Sequence, residues 1–257
     1  MGSLAPLLPG TVALVGGGPG DAGLMTVAGR AAVEQADVLL VDHLAPKEAL
    51  AWARPDALVV DVAKLPRGAF TPQERINDLL VEHARSGRRV VRLKGGDGFV
   101  FGRGMEEFLA CTEAAVPVRV IPGVTSSVAV PALGGIPVTH RGVVQGFSVI
   151  SGHVPPGHPA STLDYGALAR SGTTLIVLMG VATLPEITEA LLRNGLDPAT
   201  PAAVIARGGH PDQQVVSGSV ADIAVRAAQV GPPAITVIGE VASFAAAADA
   251  NVTEEVI

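Results

Sequence analysis

Cysteine, aromatic rings and positive charge are all scarce in this sequence of 257 residues. Cys111 is the only cysteine, which excludes an intrachain disulfide and a metal cluster built on several thiolates. Aromatics make up 3% of the chain, too few for the stacking platforms that hold single-stranded nucleic acid. A formal net charge of −6 argues against a protein-wide basic field for DNA or RNA. No apolar run reaches membrane-spanning length without glycine, proline or charge. The first residues, Met1-Gly-Ser-Leu-Ala-Pro-Leu-Leu-Pro9, lack a basic start and a long apolar core, so no secretory signal is expected. Pro6 stands where a myristoylation signal wants Ser or Thr. The expectation is a cytoplasmic, soluble protein with no nucleic-acid or membrane partner, flexible over residues 1–10 and frayed over residues 249–257.

What is present is apolar bulk and glycine. Hydrophobic residues form 48% of the chain and charged ones 16%, enough for a sizeable core and against disorder. The stretch Arg92-Leu-Lys-Gly-Gly-Asp-Gly-Phe-Val-Phe-Gly-Arg-Gly104 follows a short apolar strand signal, and glycine breaks both helix and strand through it. A loop of this kind at the carboxyl end of a strand is where open α/β sheets bind ligands. It is read as one wall of a ligand site, against the simpler reading of a glycine-rich surface turn. Arg85, Arg88, Arg89, Arg92 and Lys94 form a local basic patch, which suits either a small polyanion or a solvated strand edge.

Taken in order, residues 11–15 read as a buried strand, residues 26–35 as a helix and residues 38–41 as a second strand, a βαβ unit and hence a parallel pair. A helix over 46–54, a strand over 57–62 and a loop over 63–68 follow. Thr71-Pro-Gln-Glu74 has the form of a capping box with proline at the first helical position, opening a helix that runs to about Arg85. A helix over 105–114 and a strand over 119–121 complete the first half. Pro122-Gly-Val-Thr-Ser-Ser127 breaks the pattern and marks the expected boundary between an amino-terminal domain, 11–122, and a carboxyl-terminal domain, 123–257. Beyond it come a helical run to Leu133, strands over 147–151, 173–179, 202–206 and 235–238, and helices over 184–194 and 220–228. Residues 153–161, rich in Pro, Gly and His, are expected to form a mobile loop. The fold class is α/β, two α/β domains with a ligand cleft between them.

Several chemistries can be weighed on these residues. Gly18-Pro-Gly-Asp-Ala-Gly23 fits the G-x-G-x-x-G dinucleotide pattern, and Asp42 ends the next strand where a ribose-binding acid belongs. Pro19 removes a donor that a phosphate cradle would use, and no P-loop ending follows. A nucleotide-binding oxidoreductase therefore remains a rival. The six histidines show no zinc-ligand spacing, so no metal is expected. No Gly-x-Ser-x-Gly elbow is present to support a hydrolase. Asp42 and Lys64 both follow strand ends and can serve as acid and base, or simply as rim charges.

Taken together the motifs are more specific. Val15-Gly-Gly-Gly-Pro-Gly-Asp21, Ala36-Asp-Val-Leu-Leu-Val-Asp42 and Val90-Val-Arg-Leu-Lys-Gly-Gly-Asp97 occur in this order, followed by Phe99-Val-Phe-Gly-Arg-Gly104, Val120-Ile-Pro-Gly-Val-Thr-Ser126 and Gly135-Ile-Pro-Val-Thr-His-Arg141. In order and spacing the chain resembles the tetrapyrrole methylase family, and within it the uroporphyrinogen-III C-methyltransferases, from about Thr11 to about Val241. The resemblance implies the class III methyltransferase fold, S-adenosylmethionine as methyl donor with S-adenosylhomocysteine as product, and a homodimer. It places donor contacts at Pro19, Gly95, Gly96, Asp97, Val100, Thr125, Ser126, Met179 and Gly208. It also makes Asp42 the proton acceptor and Lys64 the proton donor.

The implied reaction is methylation of uroporphyrinogen III to precorrin-2 by way of precorrin-1, in sirohaem or cobalamin synthesis. From local charge, Arg92, Lys94, Arg103 and Arg141 are candidates to meet the carboxylates of such a substrate, since guanidinium pairs with carboxylate bidentately. The chain departs from the family pattern at Val41 and His43 around Asp42, at Ala63 and Leu65 around Lys64, at Gly98 after Asp97, and at Leu178 before Met179. These departures leave a later precorrin as an alternative acceptor and a donor-binding sensor without turnover as a non-enzymatic one.

Overall fold

The computed structural model of the chain describes residues 5–62 and 71–245. They fall into two compact units, Met1–Ser126 and Ser127–Ile257, so that the division lies four residues beyond the boundary expected at Pro122.

The first unit is built on a parallel sheet of five strands, β1 (Val12–Gly16), β2 (Val38–Val41), β3 (Leu58–Asp61), β4 (Val90–Lys94) and β5 (Val118–Ile121), in the order β3-β2-β4-β1-β5. Alternation along the strands sends their side chains to two separate cores. On one face Ala13, Val15, Leu39, Val41, Val91 and Leu93 pack with Ala32 and Val33 of helix α1 (Val27–Gln35) and with Ala49. On the other, Val12, Leu14, Val38, Leu40 and Val90 meet Ile76, Leu80 and Ala84 of α2 (Gln73–Arg85) and Cys111 of α3 (Gly104–Glu113). Burial pushes the Cys111 thiol up to about 11, so it packs as a small apolar group and not as a nucleophile.

Local chemistry explains only some of the helix starts in this unit. Thr26 caps α1 by accepting the Gly29 N–H at 3.0 Å. The segment expected as a helix over 46–54 is a 3-10 turn, Lys47–Trp52, entered at Pro46 without a side-chain cap. The capping box expected at Thr71 does not form: α2 starts one residue later, after Pro72, and the Thr71 hydroxyl is buried with no partner among the described residues. Residues 5–10, expected to be loose, are tied down. Leu7 is buried and donates its N–H to Gln35 Oε1 at 3.0 Å, and the Ala5 carbonyl accepts from Arg119 Nη1 at 2.7 Å.

The second unit carries a mixed sheet in the order β6-β7-β10-β8-β9, from β6 (Phe147–Ser151), β7 (Thr174–Leu178), β8 (Pro201–Ala206), β9 (Gln214–Ser219) and β10 (Ala234–Ile238). Only β6 and β7 pair in parallel. Strand β9 is absent from the sequence reading, because Gln214-Val-Val-Ser-Gly-Ser219 is polar and glycine-bearing; antiparallel pairing with β8 at the sheet edge supplies what its propensity does not. One face is covered by α4 (Ser126–Leu133) through Val130 and by Val241 and Ala242. The other is covered by α5 (Tyr165–Ala169), α6 (Leu184–Arg193) and α7 (Ile223–Arg226). The segment over 153–161 carries turn bonds, with the Ala160 N–H donating to His158 Nδ1 at 3.1 Å and the Ser161 N–H to the His158 carbonyl at 2.8 Å.

Candidate active site

The carboxyl ends of β1, β4 and β5 deliver three glycine-bearing loops to one edge of the first sheet, where parallel α/β sheets place their ligands. The loops are locked to one another by backbone. Gly18 and Gly96 exchange both hydrogen bonds, at 3.1 and 2.6 Å, and the Gly17 N–H donates to the Lys94 carbonyl at 2.7 Å. A Cβ on Gly16 would come within 2.4 Å of the Gly123 nitrogen, and Gly96 holds φ +60, a conformation L side chains rarely adopt. The Asp97 carboxylate completes the lock: Oδ1 accepts the Phe99 N–H at 2.8 Å and Oδ2 the Gly123 N–H at 3.0 Å. The glycines at Gly16, Gly96 and Gly123 are thus required by the fit of loop on loop, whatever ligand lies beyond. Past Asp97 the loop presents Phe99 and Phe101 to solvent, 44% and 46% exposed.

Beneath these loops lies a buried ion cluster. Strand β4 continues through Arg92 to Lys94, into the stretch read as a glycine-rich loop, so Arg92 and Lys94 fall on the face of the sheet that α2 and α3 cover. Asp42, directly after β2, continues the same face from Leu40. Glu107 of α3 reaches down to meet them. Its Oε1 accepts from Arg92 Nε at 2.8 Å, from Lys94 Nζ at 2.9 Å and from Gln73 Nε2 at 3.3 Å. Arg92 Nη2 donates to Asp42 Oδ1 at 2.5 Å, and Lys94 Nζ stands 3.7 Å from Asp42 Oδ2. Arg92, Lys94 and Glu107 are buried; the Asp42 side chain is 32% exposed. Burial works against the Arg92 charge, but the carboxylates of Glu107 and Asp42 outweigh it and leave the guanidinium more basic than usual.

This geometry revises the reading of local charge. Arg92 and Lys94 are not free cations awaiting a substrate; each already has internal carboxylate partners. Arg103 is exposed, holds φ +56 at the start of α3 and pairs bidentately with Glu106 at 2.8 and 2.7 Å. Arg141 is exposed in a turn closed by His140 and Val144. Lys64 lies outside the described residues. Glu107 was missed, although a carboxylate sharing the buried face of α3 with Gly104 and Cys111 is a legible signal.

The remaining donor-contact candidates sit as follows. Pro19, Gly95, Val100 and Thr125 are half-buried in the loops of the first unit, and Ser126, also half-buried, is the first residue of α4. In the second unit Met179 is half-exposed directly after β7 with φ +56, and Gly208 is buried after β8, where a Cβ would come within 2.5 Å of Val130 Cγ1. A non-glycine residue held at positive φ beside a strand end is the kind of strain that collects at ligand sites.

The dinucleotide reading does not survive. In that fold the strand after the glycine loop lies beside the first strand, whereas here β4 separates β1 from β2. The glycine pattern also runs into a 3-10 turn, Ala22–Leu24, capped by Asp21, and α1 starts only at Val27. Asp42 turns to Arg92 and Lys94.

Among known proteins, residues 11–224 match the family described as Tetrapyrrole (Corrin/Porphyrin) Methylases. The chain is 46% identical over 235 residues to "Siroheme synthase 1" of Yersinia pseudotuberculosis, covering 91% of this chain and 49% of that protein. It thus spans about half the length of that relative. Among solved structures, a uroporphyrin-III C-methyltransferase from Thermus thermophilus complexed with S-adenosylhomocysteine is 40% identical, with a TM-score of 0.77, over 91% of this chain and 99% of that one. A cobalt precorrin-4 methyltransferase is 25% identical, with a TM-score of 0.79, over 90% of this chain and 95% of that one. With its interlocked glycine loops and the match across most of its length, the chain belongs to the tetrapyrrole methylases.

Proposed function

We propose that this protein transfers methyl groups from S-adenosylmethionine to uroporphyrinogen III, giving precorrin-2 by way of precorrin-1, and that it does so in the cytoplasm as a homodimer. The observation that carries the reading is Asp42, a partly exposed carboxylate at the ligand-binding edge of a parallel sheet, anchored from behind by Arg92. Similarity to a uroporphyrin-III C-methyltransferase over 99% of that chain supports the same acceptor.

The donor, when bound, supplies a methyl already activated on a sulfonium, so the protein needs alignment and exclusion of water more than a strong base. The residues fit that demand. Gly95 and Gly96, with Gly18 bonded to Gly96 and Gly17 to the Lys94 carbonyl, form a backbone-locked wall without long side chains, able to hold a compact adenosyl group chiefly through main-chain atoms. Asp97 serves by shaping that wall, because its carboxylate is engaged with the chain's own N–H groups. Pro19, Val100, Thr125, Ser126, Met179 and Gly208 complete the proposed donor contacts.

As the carbon–sulfur bond breaks and the new carbon–carbon bond forms, the alkylated ring becomes cationic and must release a proton. Asp42 accepts it, with Arg92 fixing the direction of its Oδ1. Lys64 is the proposed proton donor. Arg103, exposed at the end of the loop after β4, and Arg141, exposed in a turn of the second unit, meet substrate carboxylates.

Anaerobic incubation with uroporphyrinogen III and S-adenosylmethionine, followed by mass analysis of the oxidised product, tests the proposal. Two added methyls per macrocycle are expected. No methylated product, alongside measurable S-adenosylhomocysteine binding, would sink the acceptor and keep the donor. The second reading, a later precorrin as acceptor, is favoured by the equal likeness in fold to a cobalt precorrin-4 methyltransferase and by the exposed His43 beside Asp42.

A further inference from the structure

We propose that Glu107 is a positioning residue for Asp42: its buried carboxylate anchors Arg92 and Lys94, and through them it sets the direction and the proton-accepting strength of Asp42. The inference rests on Asp42 as proton acceptor. Glu107 is completely buried, and its three donors all converge on Oε1. Oε2 has no partner among the described residues. A carboxylate present only to stabilise the fold gains by using both oxygens, since a buried acceptor left unmet carries a penalty. This one gives up half of its capacity to gather two cations at a single point behind Asp42.

The charges balance. Arg92 and Lys94 of β4 face Asp42 and Glu107, two basic side chains to two acidic ones. Gln73 and Asn77 of α2 add polar but uncharged groups, Gln73 Nε2 donating to Asn77 Oδ1 at 3.0 Å, and His43 adjoins Asp42 in the chain. Removing the Glu107 charge leaves two buried cations to one half-exposed anion. Lys94 Nζ, now 3.7 Å from Asp42 Oδ2, would close on it, turning the carboxylate inward and making it harder to protonate. Removing the Lys94 charge does the reverse. The proposal therefore predicts opposite displacements of one pH dependence from two buried neighbours, a signature that loss of packing does not produce.

The test uses the full chain with uroporphyrinogen III and S-adenosylmethionine under anaerobic conditions. Glu107→Gln is expected to lower kcat by about tenfold or more, with KM and S-adenosylhomocysteine affinity within about twofold, and to move the acid limb of the kcat–pH profile to lower pH. Lys94→Met should move that limb to higher pH, and the double variant, neutral again, should return it toward the parent. Limbs that coincide in the parent and both single variants overturn the proposal, as does donor affinity that falls in step with kcat. Should Glu107→Gln alone fail to fold, Lys94→Met and the double variant carry the same comparison, and coincidence of their limbs overturns it. Asp42→Asn separates the two readings. If it retains full kcat, the proton-acceptor role fails. If it is inactive while the limbs stay fixed, only the role of Glu107 fails.

Discussion

Strands β2 and β4 carry an acid–base cluster at each end, each centred on an aspartate paired with an arginine and arranged in opposite ways. At the amino end, Asp37 precedes β2 and Arg89 precedes β4. The Asp37 carboxylate takes the Arg89 N–H at 2.8 Å, Arg89 Nε at 2.9 Å, Arg89 Nη2 at 2.6 Å and Arg54 Nη1 at 3.0 Å. Chiefly the hydrogen bond from the Arg89 side chain holds its pKa at about 2. At the carboxyl end, Asp42 has one close partner and one distant one, and Glu107 leaves an oxygen unmet. The closed cluster is a staple between two strands. The open one leaves acceptor capacity where the glycine loops converge, and that surplus is what chemistry requires.

Substitution at the two ends should separate along this line. The largest effect is expected from Asp42→Asn, which should lower kcat by about a hundredfold or more, in the range of general-base contributions, while S-adenosylhomocysteine affinity stays within about twofold. Calorimetric binding beside single-turnover rates checks this, and equal loss of both would make Asp42 a second staple. Next is Gly96→Val. Its φ of +60 and a Cβ position 3.0 Å from Ser126 Oγ force the loop to move. Donor affinity should fall by at least about tenfold, in keeping with a backbone strain of about 1–3 kcal/mol. Unchanged affinity would remove the loop from the donor site.

At the other end, Asp37→Asn should leave kcat unchanged and reduce stability. A carboxyl lowered from 3.8 to about 2 corresponds to about 2 kcal/mol, and with side-chain exposure of 28% solvent screening trims the expected loss to about 1–2 kcal/mol in denaturant titration. Because the folded-state pKa lies below the ordinary one, the contribution of Asp37 is complete above about pH 5 and disappears as pH falls from about 4 through about 2. The parent should lose stability across that window more steeply than Asp37→Asn; equal slopes would show that Asp37 does not supply it. The smallest effect is expected from Arg103→Met. Its pair with Glu106 is half-exposed and screened by solvent, so stability should hardly change. KM for the tetrapyrrole should rise by about threefold to tenfold, as for one lost exposed charge contact, and an unchanged KM would take Arg103 out of the substrate site.

Strands β1 and β2 were legible because each is a short apolar run closed by glycine or aspartate, and Thr26 announces α1 by its cap. Asp42 was legible too, as an acid just after a strand. The ion cluster was not. Arg92 and Lys94 read as surface cations because nothing local shows that α3, more than ten residues away, lays Glu107 across them. The capping box at Thr71 had the right letters, yet the Thr71 hydroxyl is buried and makes no cap. Strand β9 was invisible for the complementary reason: its own residues favour no strand, and only pairing to β8 makes it one.

The sequence by itself determined the alternating pattern that sends odd and even strand residues to two different cores, and the glycines that let three loops meet at backbone distance, because periodicity and the absence of a Cβ are properties of the chain alone. Tertiary structure alone decided which charges are spent and which are available. Lys94 and Arg103 stand nine residues apart with the same charge sign, and one is neutralised inside the fold while the other lies open at its surface. Glu107, the partner of Lys94, is brought by another element and sits with it out of water, whereas Glu106, the partner of Arg103, is three residues away on the same helix and leaves the pair in solvent.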